Sequence, residues 1–199
     1  MNTRKRTRNR TTRIEAPDAR GIKSFVVPEL KTPSFGGLRA EVESNMIEAC
    51  SNRCKIPRRW TKHIHLFYFP KNTRRQALRA VSAALRRGKF TAGGINLILL
   101  DDAKIKKLNS RFRNVRRKTD VISFRYSTAP LEGDIFLSRG VSKRQAAGQK
   151  HSWADELAYL AIHGILHLFG YTDYTPTARK RMFAVQDKIF GQIQMTKYK

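Results

Sequence analysis

From residue 63 onward, short apolar runs alternate with longer segments whose apolar residues recur every three or four positions. Short runs bounded by turn signals read as buried strands, and the longer period reads as helix. The segments HIHLFYF (63–69), GGINLILL (93–100), VISFRY (121–126) and DIFLS (134–138) therefore predict four strands. A helix is predicted over 73–87, where Ala77, Leu78, Val81, Ala84 and Leu85 share one face and Arg and Lys fill the other. Gly88 follows at the place of a left-handed cap. Asp101 or Asp102 caps a short helix through Leu108 and Asn109. Residues 139–150 are polar and basic, a loop or a short helix. The strongest helix spans 153–168, with Leu157, Leu160, Ala161, Ile165 and Leu168 apolar and Gly170 as its stop. A last helix covers about 177–193. Alternating strands and helices predict an α/β (α+β) fold, a single mixed sheet of about four strands packed by helices.

The first 59 residues follow a different rule. Pro17, Pro28, Pro33 and Gly36-Gly37 punctuate them, and only Leu38–Arg53 has helical spacing, through Leu38, Val42, Met46 and Cys50. Residues 1–14 carry six Lys or Arg and no acid, so like charges oppose collapse and predict a disordered arm. We therefore divide the chain into a basic extension, 1–59, and one folded domain, 60–199. An Arg-rich, acid-poor start also fits an organelle transit peptide, but the stretch between Met1 and Ile14 has no large apolar residue to form an amphipathic stripe.

Charge extends this picture. Lys and Arg number 41 against 15 Asp and Glu, a net +26 over 199 residues. Such a field attracts polyanions, which points to nucleic acid. No apolar run approaches the roughly 20 residues of a membrane span, and no apolar region of a secretory signal follows the basic start. The expected location is the cytoplasm, with no membrane partner. Cys50 and Cys54 lie four apart without further ligand types nearby, so they read as reduced thiols.

Candidate chemistry concentrates in HGILHLFGYTD (163–173). His163 and His167 are one turn apart on one helix face, a spacing at which two imidazoles chelate one ion. Gly170 permits a sharp turn that brings Asp173 back as a third ligand. Three protein ligands and an open position are the layout of a catalytic zinc. Gly164 excludes a zinc-protease motif, whose Glu base would stand there.

The same segment resembles the H-G-x-L-H-L-x-G-Y-D-H signature of the YbeY family of zinc-dependent endoribonucleases. LNSRFRNVRRKTDVISF (108–124) resembles that family's L-N-x-x-x-R…P-T-D-V-L-S-F stretch, and EGDIFLS (132–138) its L-G-D-I-x-I-S strand. The resemblance covers roughly 60–195. It implies a single-strand-specific, metal-dependent endoribonuclease that matures ribosomal RNA, notably the small-subunit 3′ end, and serves ribosome quality control. It implies one Zn2+ held at His163, His167 and position 173, with His163 and Arg113 catalytic. The implied partners are ribosomal RNA, the small subunit and proteins of ribosome assembly. This chain departs from the pattern at Asp173 and Thr172, and at Lys118 and Arg125, where the family has proline. The carboxylate suits zinc but lowers the ion's Lewis acidity, so a ribosome-binding factor with weakened catalysis is the alternative reading.

Other residues have two readings each. Arg113 is a phosphate clamp or one solvated cation of RFRNVRRK (111–118). Lys104, Lys106, Lys107, Arg111, Arg116, Arg117 and Lys118 form a phosphate-binding stretch around Phe112, which either stacks on a base or is simply buried. Glu156 and Asp134 either orient a ligand histidine or serve as cap and ion-pair partners. His63 and His65 alternate along a strand and face one side of the sheet.

Overall fold

The computed structural model describes Val26–Val27 and residues 63–195. The expected basic arm 1–14, the helix over Leu38–Arg53 and both cysteines lie outside the described residues. The strands are β1 (Val26–Val27), β2 (Ile64–Phe67), β3 (Ala92–Leu100), β4 (Val121–Thr128) and β5 (Leu131–Ser138). The helices are α1 (Lys71–Gly88), α2 (Asp102–Arg113), α3 (Arg139–Gly148), α4 (Trp153–Leu168) and α5 (Pro176–Met195).

All strands form one mixed sheet in the order β1-β4-β5-β3-β2. β3 runs parallel to both β5 and β2, whereas β4 and β5 form the antiparallel pair. The four expected strands are present, and interior β3 ends in the continuous apolar run Leu97–Leu100 because helices cover both faces of the sheet. β1 is an addition, pairing in parallel through Val26↔Ser123 and Val27↔Phe124. Two residues are too few to show a period in sequence.

Two apolar clusters fill the layers. Ile95, Leu97, Leu99, Ile135 and Leu137 meet α1, α4 and α5 on one face of the sheet. On the other, Ile98, Ile122, Phe124 and Phe136 meet Ile105 and Leu108 of α2. The 139–150 segment resolves as helix α3. α4 is buried from Asp155 through Leu168, as expected for a helix apolar on nearly every side. Ser152 caps it, its side chain accepting from the Asp155 amide at 3.1 Å. No helix among the described residues is long and apolar enough to cross a membrane.

Strand ends shift by up to three residues from the sequence reading, and the ends of α1 and α2 differ for identifiable reasons. α1 runs through Gly88, and the left-handed cap is Lys89 at φ 57°. Phe90 then stacks on Phe169 with ring centroids 4.3 Å apart, a tertiary contact that local periodicity does not contain. α2 also continues past Asn109 to Arg113. Its cap is Asp101, which accepts from the Lys104 amide at 2.8 Å.

Asp102 ties three segments together. It meets Lys118 Nζ at 2.9 Å, Ser138 Oγ at 2.8 Å and Arg144 NH2 at 3.3 Å. Partial burial alone would raise its pKa, but the bonds from Lys118, Ser138 and Arg144 outweigh burial and hold it at about 2. An unfolded aspartate titrates near about 3.9, so this contribution is present above that pH and is lost as pH falls through about 2. Asp102→Asn should therefore lower Tm at neutral pH by about 1–4 °C. The gap should close between about pH 4 and 2 in thermal melts of both proteins; a gap constant over that range would contradict the assignment.

Candidate metal centre

The site is built on the last two turns of α4 and the turn that follows. His163 and His167 are both 0% exposed and lie one turn apart. α4 reaches this depth because position 164 has no side chain. A Cβ there would stand 2.5 Å from Ile135 Cγ2 of β5, nearer than packed carbons approach. Gly164 thus allows the helix to press onto the sheet at the histidines.

Gly170 ends the helix at φ 95°. Its amide donates to the His167 carbonyl at 2.9 Å, and the Tyr171 amide donates to the Leu166 carbonyl at 3.0 Å. This paired closure is the Schellman arrangement, which glycine favours at the left-handed position. The chain then reverses as the sequence predicts. The Asp173 carbonyl accepts from Arg179 Nε at 3.2 Å and NH2 at 3.0 Å, which fixes the returning segment to α5. Asp173 ends 6% exposed. One ligand-type atom from each of His163, His167 and Asp173 lies within 4.8 Å of the others.

The hydrogen bonds determine which atoms face inward. His167 Nδ1 lies 2.8 Å from the Tyr171 carbonyl, an acceptor only, so Nδ1 carries the proton. His163 Nδ1 lies 2.8 Å from Gln186 Oε1. Gln186 Nε2 donates to the Tyr159 carbonyl at 3.2 Å, which assigns the oxygen to the histidine side. Both Nε2 atoms therefore present lone pairs, and they face each other at 3.0 Å. Burial, then the charges of His163 and Arg113, hold the His167 imidazole well below its usual pKa against the Tyr171 carbonyl, which opposes them. Two bare nitrogens in contact fit a shared cation. Zinc–nitrogen bonds of about 2.0–2.1 Å at tetrahedral angles set two such nitrogens roughly 3.3 Å apart. The donor set is two imidazoles and one carboxylate, a combination found at catalytic zinc.

Gln186 is the residue that sequence reasoning missed. It sits on α5 among Met182, Ile189 and Ile193, the buried stripe of that helix. A polar residue on an apolar stripe was the available signal. Glu156 and Asp134 take the structural roles instead. Glu156 pairs with His151, and burial foremost pushes its carboxyl up. Asp134 accepts from Asn96 and from the Tyr126 hydroxyl, both at 2.8 Å.

Arg113 ends α2, half-buried, and donates to Asn109 Oδ1 at 3.2 Å. Burial foremost depresses its guanidinium pKa, Arg117 adds to this, and Tyr174, Asp173 and Asp120 oppose it. It remains cationic at neutral pH. Its charge reaches both Asp173 and His167, two of the three ligand-type residues. Lys104, Lys106, Lys107, Arg111, Arg116, Arg117 and Lys118 are exposed along the same helix and loop. Phe112 is half-buried, packed edge-on to Phe124 with centroids 5.0 Å apart. The two cations at family proline positions both have partners: Lys118 in Asp102, and Arg125 in the Leu168 carbonyl at 3.4 Å. His63 is exposed, its Nδ1 3.1 Å from the Gly93 carbonyl, and His65 is half-buried beside Phe67.

The family model for endoribonuclease YbeY matches residues 61–194. The chain belongs to the YbeY family. A protein named endoribonuclease YbeY from Endomicrobium trichonymphae is 42% identical over 127 residues, covering 64% of this chain and 90% of its own length. Another of that name, from Acholeplasma laidlawii, is 36% identical over 103 residues, 51% of this chain and 75% of its own. The solution structure of TM1509 from Thermotoga maritima is similar over 67% of this chain and 93% of its own, at 23% identity and a TM-score of 0.45. YbeY membership and the buried His–His–Asp cluster rest on separate observations, and both fall within 61–194.

Proposed function

We propose that this chain is a single-strand-specific, zinc-dependent endoribonuclease that acts in the cytoplasm on ribosomal RNA, at the small-subunit 3′ end. The observation that carries this reading is the pair of bare Nε2 atoms closed by Asp173 beside Arg113, in a member of the YbeY family. A bound zinc ion would supply an acidified water and polarise a phosphoryl oxygen. His163, His167 and Asp173 would hold it. Gln186 and the Tyr171 carbonyl keep both Nδ1 atoms protonated and both Nε2 atoms turned inward. Arg113 grips a nonbridging phosphate oxygen and offsets charge added on attack. The exposed cations of α2 and the loop after it hold the flanking phosphates. Ribosomal RNA is the substrate class that the family resemblance and the +26 charge support together.

One observation favours a second reading, an assembly factor that binds the small subunit with little catalysis. The carboxylate of Asp173 makes the ligand set anionic and the ion a weaker Lewis acid. Asp173→His distinguishes ligand from bystander: it should bind zinc as tightly as the native protein or more tightly, measured by competition with a chromophoric chelator. Looser zinc would remove Asp173 from the ligand set. The assay for the function itself is cleavage of single-stranded ribosomal RNA fragments by the zinc-loaded protein. Cleavage supports the enzyme reading. Binding without cleavage supports the second.

A further inference from the structure

The loop after α4 displays an aromatic ring at the centre described above. Tyr174 directly follows Asp173 and is 47% exposed, one of three large exposed hydrophobic residues among those described, with Tyr68 and Met195. Its exposure does not come from a loose chain. On one side, Tyr171 holds His167 and the Asp173 carbonyl takes two bonds from Arg179. On the other, Thr175 Oγ1 accepts from the Ala178 amide at 3.2 Å and the Thr175 carbonyl from the Arg179 amide at 2.9 Å. A ring carried on a backbone fixed at both flanks meets a ligand with less ordering cost than one on a loose chain. Tyr174, like Asp173 beside it, opposes the depression of the Arg113 pKa, which puts its hydroxyl within electrostatic reach of that guanidinium. Phe112, the aromatic that the sequence offered for this task, is half-buried and packed edge-on to Phe124, and so less accessible than Tyr174.

We propose that Tyr174 is a stacking platform for an unpaired base next to the phosphate held by Arg113, and that it contributes to the choice of single strands. This rests on the RNA-cleaving reading above. Every base has a π-face, so such a contact is tolerant of sequence. In an A-form duplex that face is covered by neighbouring pairs, and the contact is lost.

The test uses full-length zinc-loaded protein and single-stranded RNA oligonucleotides that differ only in the position of one abasic site. Affinity is read by fluorescence anisotropy and cleavage by gel. Native protein should lose about five-fold to about a hundred-fold in affinity at one abasic position. Tyr174→Ala should show that loss on intact RNA and no further loss at that position, whereas Tyr174→Phe should stay within about twofold of native. An equal abasic penalty in native protein and Tyr174→Ala, or a Tyr174→Phe protein as weak as Tyr174→Ala, overturns the proposal. Absent cleavage by native protein overturns the nuclease reading alone, because the anisotropy pattern still decides whether Tyr174 stacks.

Discussion

His163→Ala is expected to abolish metal binding and reduce RNA cleavage by at least about a thousandfold. Truncating the side chain removes two contacts that matter to the site. Its Nε2 faces His167 Nε2 at 3.0 Å, and its Nδ1 faces Gln186 Oε1 at 2.8 Å. Two ligand-type residues would remain, one imidazole and one carboxylate, too few for the tetrahedral three-plus-one arrangement. Gln186 would be left with a buried, unsatisfied oxygen, which costs about 1–3 kcal/mol. Loss of activity therefore comes with a lower Tm, and the two are separated by measuring cleavage well below the melting temperature. His163→Gln keeps a polar side chain against Gln186 and should recover stability without recovering bound metal. Full cleavage by a folded His163→Ala protein would remove His163 from the active site.

Arg113→Ala should lower kcat by about 10²–10³-fold while bound metal stays unchanged. The side chain is half-buried at the end of α2, and it touches the cluster through charge rather than through a ligand bond. Metal content thus distinguishes this variant from those of the three ligand-type residues. Arg113→Lys restores the charge but not the planar fork, so it should recover only part of the rate. Complete recovery in lysine would reduce Arg113 to one more solvated cation of the basic stretch. Single-turnover rates on single-stranded RNA give the comparison directly.

How much of this was legible in sequence depends on how local each cause is. α4 declares itself because its buried residues repeat within one helix, and the turn at Gly170 does so because positive φ favours glycine. The approach of Asp173 to the histidines follows from those two facts, so the three ligand-type residues were readable before any tertiary contact. Gln186 was not, because its partner lies 23 residues away on a different helix. The same holds for Lys89 in place of Gly88 as the α1 cap, where the Phe90–Phe169 stack joins segments far apart in sequence. Phe112 and Tyr174 are the sharpest example. The basic stretch offered Phe112 as an aromatic for a base, whereas packing half-buries it against Phe124 and leaves Tyr174 exposed. Exposure is a property of the assembled layers, and a pattern of residue types does not contain it.

The most direct measurement is a zinc titration of protein stripped by a chelator, with single-stranded RNA cleavage read at each addition. A metal centre made of His163, His167 and Asp173 predicts no cleavage at the start, a linear rise, and a plateau at one ion per chain, with His163→Ala flat throughout. Cleavage by the stripped protein, or a rise in His163→Ala equal to the native one, would contradict it.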